Sequence, residues 1–358
     1  MTITKEQILQ ALGNVEEPDL KKDLVTLNMI QDIQIEGNRV SFSVILTTPA
    51  CPLKVMIENA CRNAVLHFVS KDADIHINMT SQVTTQKNTG VPGVKNIIAV
   101  ASGKGGVGKS TVAVNLALGL AKSGSKVGLI DADIYGPSIP IMFGLEGAKP
   151  KATQTPEGKT RIEPIEKFGI KLLSIGFFTD PNQPVPWRGP MISTAVKQLF
   201  NDADWGELDY LVVDLPPGTG DIHITVTQTF PITGAVIVTT PQNVALADAR
   251  KGIGMFLMPT INVPLLGIVE NMSYFTPAEL PDNKYYIFGQ GGGEKLANQL
   301  NVPFLGEIPL VKGISDSGDA GTPIVLDEYS VQSKAFIDMA KRVAQQVSIS
   351  NAKVLDVV

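Results

Sequence analysis

The feature that most constrains the fold is a glycine-rich segment that lies between an apolar run and a helical pattern. Residues 102–111 read Ser-Gly-Lys-Gly-Gly-Val-Gly-Lys-Ser-Thr. The apolar run at residues 96–101 is typical of a buried parallel strand. Residues 111–123 carry apolar side chains at helical spacing and precede Gly124, a residue type common at helix ends. A strand, a glycine-rich loop and a helix in this order predict an α/β fold with a phosphate-binding loop.

The residue types of this loop suit the binding of ATP. Its glycines allow successive main-chain N–H groups to face an anion, and the start of the helix adds the positive end of its dipole. We expect Lys109 to reach the outer phosphates and Ser110 to offer its hydroxyl to Mg²⁺. Lys104 is a second cation that can stabilise charge during phosphoryl transfer. The nucleotide-binding residues predicted in this loop are Gly103, Lys104, Gly105, Gly106, Val107, Gly108, Lys109, Ser110 and Thr111.

Composition argues against several classes of function. The chain has 358 residues, of which 44% are hydrophobic and 18% charged, as in an ordinary globular protein. A net charge of −5 argues against a nucleic-acid surface, and no apolar run has membrane-spanning length. Two cysteines and the lack of a signal-peptide pattern favour a reducing compartment. We therefore expect a cytoplasmic protein with neither nucleic acid nor membrane as a partner.

The sequence divides into two predicted domains. Residues 1–80 are predicted to form a small α+β domain, residues 81–95 a polar linker, and residues 96–350 the P-loop ATPase domain. The elements predicted in the first domain are helices at residues 5–12 and 52–69 and strands at residues 25–35, 39–46 and 74–79. Gly37 and Asn38 are predicted to form a hairpin turn between the first two strands.

Strands and helices alternate after residue 96. Further apolar runs lie at residues 127–130, 172–175, 210–213, 234–238 and 265–269. This alternation predicts a mainly parallel sheet with helices on both faces. Ligands of such sheets bind at the carboxyl ends of the strands, so the polar residues directly after these runs are the candidate site residues.

Four polar residues follow these runs. Two carboxylates two residues apart, Asp131 and Asp133, can serve a metal ion and an attacking water separately, while Asp214 suits Mg²⁺. A structural cap remains an alternative role, above all for Asp131. Asn271 can read the adenine edge because its amide both donates and accepts, or it is only a turn residue. The predicted catalytic residues are Lys104, Lys109 and Asp133, and the predicted Mg²⁺ ligands are Ser110, Asp131 and Asp214.

Six segments together resemble the Mrp/ApbC/Nbp35 family of P-loop ATPases, which carry iron–sulfur clusters. They lie at residues 103–110, 131–138, 187–191, 214–221, 269–273 and 288–293. Residues 48–52, Thr-Pro-Ala-Cys-Pro, are similar to the MIP18-type domain that bacterial members place ahead of the ATPase. The resemblance thus covers nearly the whole chain.

This resemblance implies a homodimer that binds two nucleotides near its interface and transfers iron–sulfur clusters to apoproteins. Apo iron–sulfur proteins and cluster-assembly proteins are the implied partners. Lys104 is implied to reach the nucleotide of the partner subunit, while Lys109 acts on the nucleotide of its own chain. The remaining implied roles are water positioning by Asp133, Mg²⁺ binding by Asp131 and Asp214, and adenine contact by Asn271.

The chain departs from the family pattern at residues 273–284. Many members carry a Cys-x-x-Cys there, and two such pairs across a dimer suit a bridging iron–sulfur cluster. This segment contains no cysteine. Cys51 is then a candidate thiol ligand, with its pKa lowered near a helix N-terminus, or it is a small buried residue. Cys61 is expected in the core.

Two other functions fit the loop. A MinD/ParA-like positioning ATPase shares Lys104, but such proteins usually need a basic surface or a basic amphipathic C-terminal helix. Residues 331–347 have few basic side chains and are predicted to pack on the sheet. An ATP-switched scaffold without its own cluster is the other interpretation. Trp187 and Arg188 are expected either to contact a partner or a phosphate, or to pack as an ordinary loop, and His223 is structural or approaches the active site.

Overall fold

Two helices pack on one face of a small sheet in the N-terminal part of the chain. The computed structural model describes residues 3–85, 88–154, 158, 160–179, 189–277, 279–280 and 282–356. The N-terminal elements are α1 (Lys5–Leu12), β1 (Glu16–Glu17), β2 (Lys22–Asp23), β3 (Ile30–Glu36), β4 (Arg39–Leu46), α2 (Lys54–Phe68) and β5 (Asp74–Ser81). Strand β4 lies between β3, which is antiparallel to it, and β5, which is parallel. Alternate residues of β4, Val40, Phe42 and Val44, form a buried core with the helices.

The predicted strand at residues 25–35 starts late and is interrupted. The Asp23 carboxylate accepts the main-chain N–H groups of Val25 and Thr26 at 3.0 and 2.8 Å, which stabilises turns instead of a strand. The strand begins at Ile30, and its pairing shifts next to Asp32, whose φ is 54°. The side chain of Asp23 therefore overrides the apolar alternation that suggested a longer strand.

The larger part of the chain is a layered α/β unit. Its elements are β6 (Ile97–Ala101), α3 (Lys109–Lys122), β7 (Val127–Asp131), α4 (Ile139–Met142), β8 (Lys151–Gln154), β9 (Thr160–Glu163), β10 (Ile165–Lys167), β11 (Ile170–Ser174), α5 (Gly189–Asn201), β12 (Tyr210–Asp214), α6 (Asp221–Thr229), β13 (Gly234–Thr239), α7 (Asn243–Phe256), β14 (Leu265–Glu270), α8 (Gly292–Leu300), β15 (Phe304–Glu307), α9 (Lys312–Asp319) and α10 (Val331–Asp356). Single 3₁₀ turns lie at Ile175–Phe177 and Ile324–Leu326.

The main sheet has eight strands in the order β10-β11-β7-β12-β6-β13-β14-β15. Strand β10 is antiparallel to β11, and every other pair is parallel. The predicted fold class, a mainly parallel sheet with helices on both faces behind a small α+β domain, is confirmed. All six strands predicted from apolar runs belong to this sheet, whereas the short β10 and β15 at its two edges were missed.

Both faces of the sheet are buried, which explains why its central strands read as continuous apolar runs. Ile98 and Val100 of β6 point into a core shared with α3 and α10, whereas Ile97 and Ala99 point into a core on the opposite face. Helix α3 packs closely on α10 at Gly119. A Cβ at this position would lie only 3.0 Å from the Cβ of Ala340. The C-terminal helix thus lies on the sheet, as predicted.

The N-terminal domain contacts the larger unit through the loop after β4. The Thr48 hydroxyl is 3.1 Å from the hydroxyl of Tyr210, at the start of β12, and both residues are buried. The Gln345 amide on α10 donates to both carboxylate oxygens of Asp19 at 2.8 Å. Ala50, whose N–H donates to the Thr48 hydroxyl at 3.3 Å, belongs to the core that α3 and α10 share. The two units are therefore joined at two places, the amino-terminal end of β12 and helix α10.

Candidate functional site

The phosphate-binding loop connects β6 to α3, as the sequence predicted. Helix α3 begins earlier than expected, at Lys109, with Gly108 as its N-cap at φ 78°. Gly106 also has a positive φ of 80°, so the loop needs glycine at these positions. At Gly103 an added Cβ would lie 2.1 Å from the main-chain carbon of Asp248, because α7 packs directly on the loop. The loop conformation is therefore set by its glycines and by α7.

Lys109 is paired with carboxylates that follow two strands of the sheet. Its ammonium donates to Asp214 Oδ1 at 2.6 Å and lies 3.7 Å from Asp133 Oδ2. The side chains of Lys109 and Asp214 are 6% and 0% exposed, so the pair is shielded from solvent. The other oxygen of Asp214, Oδ2, has no hydrogen-bond partner within the described residues. Lys109 is thus held inside the site by charges rather than extended towards a ligand.

Asp131 lies at the end of β7, beside β11 and β12. Its Oδ2 accepts the Ser174 hydroxyl at 2.9 Å and the Ile139 N–H at 3.3 Å. Its Oδ1 accepts the N–H of Asp133 at 3.2 Å. Burial raises the pKa of Asp131 above its ordinary value, and the nearby Asp214 carboxylate acts in the same direction. Asp131 is therefore a buried acid whose orientation is set by three donors.

Asp133 lies nearer the surface than Asp131. Its side chain is 13% exposed and lines the cavity that contains the phosphate-binding loop. Burial raises its pKa, while the charge of Lys109 acts in the opposite direction. Of the three strand-end carboxylates, Asp133 is the one that lines this cavity.

Asn271 follows β14 and lies directly beside the loop. Its side-chain amide donates to the Val107 carbonyl at 2.8 Å, and its Nδ2 is 2.2 Å from the position of a Cβ on Gly108. The next residue, Met272, has a φ of 53°, so the chain turns sharply here. Asn271 therefore supports the loop in this state, and it also lines the cavity.

The loop and Asn271 line one cavity of about 560 Å³. This volume suits a nucleotide-sized ligand. The far wall, which the sequence did not predict, comes from the segment before α9 and from α9 itself. Its members are Pro309, Leu310, Val311, Ile314, Ser315, Gly318 and Asp319. Lys104 lines the same cavity, and no carboxylate of the described residues lies within ion-pair distance of its ammonium.

Two buried polar residues at strand ends were not among the predicted site residues. Ser174, at the end of β11, pairs in register with Asp131 and bonds to it. Glu270, at the end of β14, is buried and accepts the Ser273 hydroxyl and the Gly293 N–H at the start of α8. The signal for both was available, because Ser174 is the one polar residue of the predicted run 172–175 and Glu270 directly follows the predicted run 265–269.

Cys51 does not have the predicted environment. Helix α2 begins at Lys54, after Leu53, so Cys51 lies outside its first turn. Burial raises the pKa of the Cys51 thiol, and the carboxylates of Glu17 and Asp19 add to this, so that together they outweigh the main-chain groups of Leu53 and Lys54 at the start of the helix, which lower it. The expectation of a lowered pKa is therefore wrong. Cys61 is in the core, as expected, and burial raises its pKa to about 12.

Three further observations bear on ligands and partners. The described residues contain no group of three or more His, Cys, Asp or Glu side chains arranged to hold a metal ion. Trp187 and Arg188 lie outside the residues that the structure describes. None of the helices in the described part of the chain has the length and apolar character needed to cross a bilayer.

Comparison with known proteins places this geometry in a family. The family model described as NUBPL iron-transfer P-loop NTPase matches residues 93–344. The chain belongs to this family. A second family model, described as iron–sulfur cluster assembly protein, matches residues 5–77 of this P-loop NTPase.

Several relatives of this P-loop NTPase carry names that refer to iron–sulfur clusters. An iron–sulfur cluster carrier protein from Synechocystis sp. is 50% identical over 353 residues, which are 97% of this chain and 99% of the relative. The carrier protein of the same name from Escherichia coli K12 is 41% identical, over 96% of this chain and 92% of the relative. A chloroplastic Fe-S cluster assembly factor from Arabidopsis thaliana is 43% identical, over 96% of this chain and 64% of its own length.

A solved structure supports the nucleotide-binding fold. The nucleotide-binding protein from Archaeoglobus fulgidus, solved in complex with ADP, is 40% identical with a TM-score of 0.56. The match covers 67% of this chain and 90% of that protein.

Proposed function

We propose that this chain is an ATP-hydrolysing carrier that binds iron–sulfur clusters and transfers them to apoproteins, acting as a cytoplasmic homodimer. The observation that carries the ATPase part is the meeting of the phosphate-binding loop, Asp133 and Asn271 at one cavity, with Lys109 paired to Asp133 and Asp214. The cluster part is supported by the family and by the names of the relatives. A division into domains at residues 1–80 and 96–350 is part of this proposal.

The side chains of the site fit Mg²⁺. Asp214 Oδ2 is buried without a hydrogen-bond partner in the described residues, and carboxylate and hydroxyl oxygens are ligands that Mg²⁺ prefers. Ser110, Asp131 and Asp214 are the residues that would hold the ion. The bound ion would neutralise charge on the phosphate oxygens.

The reaction assigns a separate task to each remaining residue. The main-chain N–H groups of residues 103–110 bind the phosphates, and Lys109 leaves its carboxylate partners to join them. Asp133 orients the attacking water, since its carboxylate lines the cavity. Asn271 exchanges its bond to the Val107 carbonyl for the adenine edge.

Hydrolysis is tested by phosphate release from ATP with Mg²⁺. Lys109→Ala should abolish nucleotide binding or turnover, and the matched variant Lys312→Ala, an exposed lysine outside the cavity, should leave both unchanged. A wild-type protein that binds ADP but never releases phosphate would contradict the ATPase proposal.

The role of Lys104 across the dimer can be tested by mixing two inactive variants. Lys104→Ala retains its own Lys109, and Lys109→Ala retains its own Lys104. If Lys104 acts on the partner's nucleotide, a mixed dimer contains one complete site, and mixing should restore activity. If mixing restores nothing although light scattering shows dimers, Lys104 does not act across the interface.

The iron–sulfur cluster is the cargo in this proposal. The chain lacks the usual Cys-x-x-Cys, so we assign no ligand set, and Cys51 remains the candidate thiol. Anaerobic reconstitution with iron and sulfide should give visible absorbance and a protein that activates an apo iron–sulfur enzyme. The variant Cys51→Ser decides the thiol role, with Cys61→Ser as the matched control. A protein that stays colourless and activates nothing would remove cluster transfer from the proposal.

The positioning-ATPase alternative has less support. The apolar face of α10, including Phe336, Ala340 and Val343, is fully buried in the core. Over residues 331–353, whose side chains the structure describes, this helix therefore presents no free apolar face to insert into a lipid surface. ATP-dependent sedimentation with anionic liposomes or with DNA would revive that alternative.

A further inference from the structure

The first turn of α6 contains a buried histidine that the proposed mechanism does not use. His223 is 0% exposed and lines a second cavity, of about 630 Å³, together with Asp133 and residues of the loop 216–220. Its ring contacts the ring of Phe256 on α7 at a centroid distance of 6.4 Å. Neither ring nitrogen has a hydrogen-bond partner in the described part of the chain. Buried polar groups are nearly always hydrogen-bonded, so this exception calls for an explanation.

The imidazole is neutral in this position. Burial lowers the pKa of His223 to about 4, while the nearby main-chain groups of Gly220 and Pro216 oppose this shift. A neutral imidazole offers one donor and one acceptor nitrogen. The main chain of Gly220 and Pro216 lies close enough to the ring to raise its pKa, but no group of the described residues meets hydrogen-bond geometry with either ring nitrogen.

The loop 216–220 is bonded to the residue that directly follows β6. The Gly218 N–H donates to the Ser102 carbonyl at 2.9 Å, and Gly218 has a φ of 91°. This N–H must leave Ser102 before it can bind a terminal phosphate. A second arrangement, in which this N–H binds the terminal phosphate instead of Ser102, belongs to the proposal that follows.

We propose that His223 is a positioning residue, whose imidazole forms a hydrogen bond with the main chain of the loop 216–220 when that loop moves to the terminal phosphate of ATP. The inference rests on the proposed function, because it assumes that the site binds ATP. It gives a role to a fully buried histidine whose ring nitrogens have no partner among the described residues. The hydrogen bond gained would favour the ATP-bound arrangement over the ADP-bound one.

The test compares affinities for ADP and for the non-hydrolysable analogue AMPPNP by calorimetry. In His223→Leu, the affinity for AMPPNP should fall about tenfold relative to that for ADP, as expected for the loss of one buried hydrogen bond. The Tm without nucleotide should stay or rise, since leucine leaves no buried polar atom unpaired. His223→Gln keeps a donor and an acceptor and should restore part of the preference for AMPPNP.

Phe256→Leu is the matched control, because it changes the packing against His223 without changing its hydrogen bonds. It should lower the Tm and leave the ratio of the two affinities unchanged. Equal losses of both affinities in His223→Leu would overturn the inference and indicate a purely structural role. Equal affinities of the wild type for ADP and AMPPNP would overturn it as well, while ATP binding would stand.

Hydrogen exchange of the wild type gives a second test that needs no variant. The Gly218 amide should change its protection between the ADP and AMPPNP complexes. Identical protection of residues 216–220 in both complexes would contradict the movement on which the inference depends. A wild type that binds neither nucleotide would remove the proposed function and the inference together.

Discussion

The buried pair between Lys109 and Asp214 predicts a specific pattern of stability. The variant Lys109→Met keeps most of the side-chain volume but removes the ammonium, which leaves the carboxylate of Asp214 buried and unpaired. The two side chains are 6% and 0% exposed and their atoms are 2.6 Å apart, so solvent cannot replace the lost partner. Breaking such a pair costs about 3–5 kcal/mol. For a domain of this size, this loss corresponds to a decrease in Tm of roughly 6–20 °C.

A second substitution should reverse much of this loss. In Lys109→Met/Asp214→Asn neither side chain is charged, so at least half of the decrease in Tm should be recovered. The control Lys312→Met removes an exposed pair with Asp316 and should change the free energy of unfolding by less than about 0.5 kcal/mol. Thermal unfolding without nucleotide measures all four proteins. The reasoning fails if Lys109→Met is as stable as the wild type, or if the double variant is no more stable than the single one.

Four shorter predictions follow from the site and from the domain contact. Asp133→Asn should keep nucleotide binding and lose most turnover, as measured by calorimetry and phosphate release, and normal turnover would contradict its role in orienting water. Ser174→Ala removes the donor at 2.9 Å from Asp131 and should raise the Mg²⁺ concentration needed for half-maximal hydrolysis about tenfold. Ser174→Thr keeps a hydroxyl and should restore the wild-type value. Gly103→Ala places a Cβ 2.1 Å from Asp248 and should abolish ADP binding in calorimetry. Tyr210→Phe removes a buried hydrogen bond and should lower the free energy of unfolding by about 1 kcal/mol in denaturant titration.

Local patterns in the sequence were sufficient for the main elements of the fold. Strand β6, the loop and α3 were predicted because apolar periodicity and glycine spacing depend only on neighbouring residues. The strand ends at Asp131 and Asp214 were predicted in the same way, since a polar residue after a buried apolar run marks the end of the strand. These predictions needed no knowledge of which strands are neighbours.

Contacts between distant segments could not be predicted in this way. Ser174 bonds to Asp131 only because β11 lies beside β7 in register, and the pattern of either strand alone does not contain that pairing. The same holds for the far wall of the cavity and for the contact of Thr48 with Tyr210. Cys51 was misjudged because its pKa depends on burial and on Glu17 and Asp19, which precede it by more than 30 residues.

The position of Cys51 limits how ATP can act on a thiol-bound cargo. The Cys51 N–H donates to the Thr48 carbonyl at 3.3 Å, and Thr48 contacts Tyr210 at the first residue of β12. Asp214 is the last residue of that strand, so four steps of about 3.3 Å, or about 13 Å, separate the two ends. Within one chain, a ligand on Cys51 therefore lies near the amino-terminal end of β12, whereas the phosphate-binding loop lies at the carboxyl-terminal ends of the strands. The contact of Thr48 with Tyr210 links Cys51 to the strand that carries Asp214, which makes Tyr210 the residue at which such a coupling can be tested.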